Sequence, residues 1–213
     1  YGELNLEQAY NVSSNVAFIN LGVKLGDETV KSYYERFGIG NQFDFELPMY
    51  KSKFGYNKKM TDDQVALASI GQGNVLVTPL QMAMMTSTIA NGGVVVKPYL
   101  VKKVTNSLGV TVQNGSGNVL NRAIRETTAH TVKDYMVSTV EKGTASRAGV
   151  WGMKVAGKTG TAEYSSDKNK DHSWFIGISN VDNPDLAISV IIEGSDGSAK
   201  AVNVAKAVFD AYY

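Results

Sequence analysis

A chain of 213 residues, 43% hydrophobic and 19% charged, is long enough for one substantial core or two small domains sharing one. Its 21 Lys and Arg against 20 Asp and Glu leave a net charge of +1 with no block of like charges, which argues against a nucleic-acid surface. Cysteine is absent, which excludes a disulfide framework, a thiol nucleophile and a Cys-type zinc site.

The sequence opens with Tyr1-Gly-Glu-Leu-Asn, the approach to a helix in which Asn5 caps Leu6 to Tyr10. No initiator methionine, tail or targeting pattern comes before it, and the sequence is therefore expected to be the C-terminal part of something longer. Next comes Asn11-Val-Ser13-Ser14-Asn15, then Val16 to Leu25 with apolar residues at helical spacing. Ser13 is expected at a helix start, where serine routinely serves as an N-cap. Its other reading is functional: Ser13 and Asn15 project a hydroxyl and an amide from a helix junction into a cleft.

Asp27 to Phe37 reads as an amphipathic helix closed by Gly38-Ile-Gly40, and residues 39–60 read as loop. Thr61 opens a helix that ends at Gly71-Gln72-Gly73. Thr78 caps another, with Pro79 at its first position and Asn91-Gly92-Gly93 after it. The methionines of that helix, Met82, Met84 and Met85, are expected to fill core. Residues 94–121 are short β-type segments with polar turns and no evident site. Thr127 to Lys142 predicts a long helix, followed by Gly143-Thr-Ala145.

Val155-Ala-Gly-Lys-Thr-Gly-Thr-Ala-Glu163 and His172 to Ile178 predict a β-hairpin whose first strand carries the chemistry. Thr159 and Thr161 lie two apart, so strand periodicity points both hydroxyls to one face, while Gly157 and Gly160 leave the backbone open to close approach. Lys158 adds a positive charge. An extended ligand with a carboxylate would lie along this strand as an added strand, bonding main chain to main chain. Taken alone, Gly-Lys-Thr-Gly also fits a plain turn. Asp185 to Glu193 alternates as a third strand, and Ala199 to Tyr213 predicts a closing amphipathic helix. The two histidines, His130 and His172, stand far apart with no companion at metal spacing, and read as surface or strand residues. The longest apolar stretches, such as Leu186 to Ile192, are far too short to span a bilayer. The fold class expected is α/β of the α+β type: an antiparallel sheet covered by helices, beside an α-rich lobe of about residues 1–93.

The chain resembles the C-terminal part of a class B penicillin-binding protein transpeptidase domain. The resemblance rests on Ser13-x-Asn15 plus Lys158-Thr-Gly160. In the same order as in such domains come Phe37-Gly-Ile-Gly40, Ser69-Ile-Gly-Gln-Gly73, Thr78-Pro-Leu-Gln-Met-Ala83, Ala90-Asn-Gly-Gly93, Gly143-Thr-Ala145, Gly157 to Glu163 and Ser173-Trp-Phe175. It implies that Ser13 relays protons between a catalytic lysine and the leaving amine, and that Asn15 hydrogen-bonds the substrate's amide side chain. Lys158 would be the electrostatic lysine. Thr159 and Thr161, with Gly160 between them, would hold the substrate or penicillin carboxylate, and the N–H of Thr161 would supply half of an oxyanion hole.

The implied reaction is acyl transfer, cross-linking peptidoglycan stem peptides ending in D-Ala-D-Ala on the extracytoplasmic face of a bacterial membrane, with β-lactams as inhibitors, cell-wall synthesis proteins as partners and no cofactor. The family's nucleophile lies in a Ser-x-x-Lys upstream of Ser-x-Asn. The single Ser-x-x-Lys here, Ser165 to Lys168, falls in a polar turn and reads as coincidence. The chain is therefore expected to lack the nucleophile helix and the two N-terminal strands, and to be inactive by itself. Competing readings are a serine β-lactamase or β-lactam sensor domain, a non-catalytic module that binds peptidoglycan or a partner, and a plain α/β domain whose motifs are caps and turns.

Overall fold

The computed structural model describes residues 1–164, 170–195, 197 and 200–213. Asn5 accepts the amide of Gln8, and Gln8 returns a bond to the amide of Asn5; this capping box starts α1 (Leu6–Asn11). After a two-helix corner come α2 (Asn15–Leu25), α3 (Asp27–Arg36), α4 (Asp62–Ser69) and α5 (Pro79–Ala90). Thr61 and Gln64 form a second capping box for α4, and Thr78 with Pro79 opens α5, as the sequence predicts. α2 packs on α4 at Gly22, where a Cβ would run into the Ser69 side chain, so the absence of one sets the closeness of that contact. The helical core beneath holds Ile39, Phe54, Tyr56, Met60, Val65 and Ala68. Gln81, buried at the start of α5, donates to the carbonyl of Phe37 at 2.8 Å and ties α5 to the end of α3.

Two small ribbons follow, β1 (Val94–Val96) paired with β4 (Val119–Arg122) and β2 (Lys103–Thr105) paired with β3 (Thr111–Asn114). Then α6 (Glu126–Lys142) and a short 3-10 turn (Ser146–Ala148) lead into β5 (Ala156–Glu163), β6 (Asp171–Ser179), β7 (Leu186–Ser195) and α7 (Ala201–Tyr212). The sheet is antiparallel in the order β5-β6-β7, so β5 and β7 are its two edges among the described residues.

Strand alternation divides β6 between two layers. Phe175, fully buried, joins Ala201, Val202, Ala205 and Phe209 of α7, with Leu186, Ile188, Val190 and Ile192 of β7 packed against the same cluster. Its neighbours Ile176 and Ile178 face the opposite way, toward Met136 and Val137 of α6 and Ile89 of α5. Met84 is buried and Met85 packs on the helical core, so these methionines fill core. His130 is a surface residue beside Glu126, and His172 is a strand residue stacked on Tyr164. No helix among the described residues is long and apolar enough to cross a membrane.

Candidate active site

The helical wall of the cleft is made by the end of α1. The amide of Ser13 bonds the carbonyl of Tyr10 at 3.1 Å and that of Ser14 bonds the carbonyl of Ala9 at 2.9 Å, the bond pair of a Schellman motif. The left-handed position of that motif, usually glycine, is occupied by Ser13 at φ +54°. For an L-residue this conformation costs about 1–2 kcal/mol. The expected N-cap role moves by one residue: Ser14, not Ser13, caps α2, accepting the amide of Ala17 at 3.4 Å. The reversal leaves the Ser13 hydroxyl unused by the backbone and exposed to the cleft, with Asn15, the first residue of α2, at the same mouth.

This corner is fastened from below. Buried Asn11 donates from Nδ2 to Ser138 Oγ at 2.8 Å and accepts at Oδ1 from Thr139 Oγ1 at 2.9 Å, joining α1 to α6. Ser138 donates onward to Glu7 at 2.6 Å. The Asn11 carbonyl accepts the amide of Thr144 at 3.1 Å, and a Cβ on Gly143 would sit 2.6 Å from that same oxygen. One buried residue thus positions both Ser13 and Thr144.

The opposite wall is β5, held in register by β6 from Ala156↔Ile178 to Glu163↔Asp171. Gly157 and Gly177 face each other in this ladder, and a Cβ on either would lie 2.6 Å from the Phe175 ring, which spreads over both. The glycine before Lys158 is therefore a packing requirement. Lys158 Nζ crosses the cleft to donate to Ser13 Oγ, and also donates to the carbonyl of Thr159 at 2.8 Å. It lies 5.8 Å from the centre of the Tyr10 ring, which is packed edge-on to Phe18 and tilted against Tyr135. Burial lowers the Lys158 pKa from 10.5 to about 8 and pushes the Tyr10 phenol up, so Tyr10 stays neutral. Thr159 and Thr161 sit on the other strand face, as periodicity requires, with Thr159 Oγ1 at 2.8 Å from Thr144 Oγ1.

A cavity of about 510 Å³ lies between the walls, lined by Ser13, Asn15, Ser69, Lys158, Thr159 and Thr161 among others. A second, of about 420 Å³, continues past Thr159 and Thr161 to Trp174 and Lys200. The structure thus brings together all six residues singled out from the sequence, Ser13, Asn15, Lys158, Thr159, Gly160 and Thr161. Sequence reasoning assigned no side-chain role to Thr144, Asn11, Tyr10 or Gln72, the last of which donates to the Thr161 carbonyl from the α4 side at 3.5 Å. For Gln72 and Thr144 a signal was present, since both lie in glycine-containing runs that matched in order. Ser165 and Lys168 lie outside the described residues. Among the described residues no group of three or more His, Asp or Glu is arranged to hold a metal ion.

A sequence model of the penicillin binding protein transpeptidase domain matches residues 1–212. The peptidoglycan D,D-transpeptidase PbpA of Mycolicibacterium smegmatis is 30% identical over 216 residues, covering 98% of this chain and 44% of that protein. Stage V sporulation protein D of Bacillus subtilis is 31% identical over 192 residues, 87% of this chain and 30% of that protein. Penicillin-binding protein A from Mycobacterium tuberculosis, solved as an imipenem acyl-enzyme complex, superposes with a TM-score of 0.88 at 27% identity. That match covers 100% of this chain and 48% of the solved one. The α+β architecture expected from the sequence is the architecture of these structures. The chain spans about half the length of such relatives, or less.

Proposed function

The chain belongs to the penicillin-binding protein transpeptidase domain family, and from that membership we propose that it is the substrate-clamping portion of a peptidoglycan D,D-transpeptidase working through a serine acyl-enzyme. The observation that carries this reading is the bond from Lys158 Nζ to Ser13 Oγ across a cleft whose one wall is an edge strand. It joins an ammonium donor and a hydroxyl relay directly beside a backbone ready to accept an added strand.

In this reading a stem peptide ending in D-Ala-D-Ala lies extended along β5, its terminal carboxylate on the hydroxyls of Thr159 and Thr161. A serine outside residues 1–213 attacks the penultimate D-Ala carbonyl, forming a C–O bond while the C–N bond to the terminal D-Ala breaks. Ser13, held by Lys158, relays the proton given up by the attacking serine to the leaving amine, and the Thr161 N–H steadies the oxyanion. Asn15 holds the donor's side-chain amide. The amine of a second stem then attacks the ester and releases the serine. No cofactor takes part. Residues 1–213 form the C-terminal portion of one transpeptidase domain, working on the extracytoplasmic face where this substrate lies. β-Lactams, which mimic the acyl donor, stop at the ester; relatives solved as acyl-enzymes with imipenem and penicillin G support this step.

The test is the intact mass of the full-length protein after incubation with penicillin G, followed by peptide mapping. The expected result is one long-lived adduct on a serine outside residues 1–213. Absence of an adduct, or rapid turnover of the penicillin, would overturn the reading; an adduct on Ser165 would relocate the nucleophile.

A further inference from the structure

β5 is an edge strand among the described residues, so half of its backbone groups point away from β6. Two of its outward carbonyls are identified by what they bond: Thr159 O accepts Lys158 Nζ at 2.8 Å, and Thr161 O accepts Gln72 Nε2 at 3.5 Å. Side chains therefore hold the acceptors that a pairing strand would use, one from β5 itself and one from across the cleft. The two contacts differ in strength. The first is short and charge-assisted, whereas the second is at the outer limit of hydrogen-bond length and neutral.

The backbone behind Gln72 is firmly placed. Its amide bonds the carbonyl of Leu67 at 2.9 Å, that of Gly71 bonds Ala68 at 2.9 Å, and both flanking glycines have positive φ, +73° and +77°. A Cβ on Gly73 would collide with the Tyr56 hydroxyl, which itself accepts the amide of Asn74 at 3.2 Å. A firmly placed loop thus presents one side-chain carboxamide to one edge carbonyl.

We propose that Gln72 is a specificity-determining gate for strand addition at β5, a stand-in donor that yields the Thr161 carbonyl only to a ligand bringing its own N–H. This rests on the acyl-donor reading above. A ligand with an N–H at that position exchanges one hydrogen bond for a better-aligned one, and Gln72 swings aside. Under a ligand without one, Gln72 stays and keeps a covered carbonyl from being left unpaired, which would be costly. The ligand class favoured is an extended acyl donor with an amide N–H beside its reactive carbonyl.

The test compares acylation rate constants of the full-length protein and its Gln72→Ala and Gln72→Glu variants with two β-lactams. Penicillin G carries an acylamido N–H, whereas imipenem carries a hydroxyethyl group and no N–H at that place. Glutamate keeps the shape of the side chain and loses the donor, so it tests the gate even where alanine disturbs the loop. Both variants should acylate faster with penicillin G and no faster with imipenem, raising the ratio of the two rates by about two- to ten-fold, the worth of one hydrogen bond. An unchanged or lower ratio, including equal loss with both compounds, would assign Gln72 a structural role and overturn the gate. Failure of the wild-type protein to be acylated by either compound would instead overturn the acyl-enzyme reading itself.

Discussion

Ser13 is held by a strained helix end and Lys158 by an unstrained strand register, so the two partners of one hydrogen bond depend on their surroundings in opposite ways. On the helical wall a serine occupies a left-handed position that glycine fills at less cost. The local structure would form more readily without it, and its presence points to use of the side chain. On the strand wall the ladder with β6 sets where Lys158 points, and a glycine precedes it because Phe175 takes the room of any side chain at 157. There the cost is carried by the functional group itself, an ammonium lowered to a pKa of about 8 by burial. Backbone strain serves one wall and desolvation the other.

The sharpest way to break this pairing is to remove the charge. Lys158→Gln is expected to lower the rate of acylation by penicillin by about 10²–10³, the loss typical of removing one fixed electrostatic group at an oxyanion-type site. The same variant should melt no lower than wild type, because the buried ammonium is gone. A large fall in melting temperature would mean that Lys158 is a structural tie between the walls. Ser13→Gly comes next: acylation is expected to fall about 10²-fold through loss of the proposed proton relay. Stability should rise by about 1 kcal/mol, since glycine relieves the left-handed strain. Chemical denaturation of both proteins checks this, and equal or lower stability of the glycine variant would remove the argument that Ser13 is kept for its hydroxyl.

The two walls also differed in how plainly the sequence showed them. A period of two, two spaced glycines and a returning apolar strand are local signals, and they located β5 and the face shared by Thr159 and Thr161. Asn5, Thr61 and Thr78 were equally legible as caps, because capping is settled within four residues. Ser13 was misplaced by one position, since Ser13-Ser14 offers two equivalent caps and only the chain reversal after α1 decides between them. Gln72 and Asn11 act through partners 89 and 127 residues away, on Thr161 and Ser138, and no local pattern encodes such distances. What the residues in order revealed was a set of elements; the cleft they enclose depends on long-range packing.

A substitution that leaves every side chain of the proposed site in place sharpens the strand side. Gly157→Ala puts a Cβ 2.6 Å from the Phe175 ring and 3.3 Å from the Ile176 carbonyl, next to a fully buried aromatic that cannot easily retreat. Overpacking of this kind costs about 1–3 kcal/mol. The melting temperature should fall, and acylation should fall with it as the β5 ladder shifts at Lys158. Unchanged acylation in a destabilised variant would mean that the register around Lys158 is set from the Ser13 side instead.

The smallest expected effect is that of pH, and it separates the two costs most directly. With its pKa near 8, Lys158 is about half charged at pH 8 and mostly charged at pH 7. If the ammonium is the active form, acylation falls as pH rises through about 8; a rise through the same pH would make the neutral amine a base. Stability moves the other way. The folded pKa lies below the unfolded value of 10.5, so between about pH 8 and 10.5 the unfolded chain binds more protons, and this lysine's contribution to stability increases with pH. Subtracting the stability profile of Lys158→Gln from that of wild type isolates the lysine from every other titrating group. The difference should be flat below pH 8 and climb above it. The same subtraction between Ser13→Gly and wild type should show only a minor dependence on pH beside a constant offset, because backbone strain carries no proton while desolvation of an ammonium does.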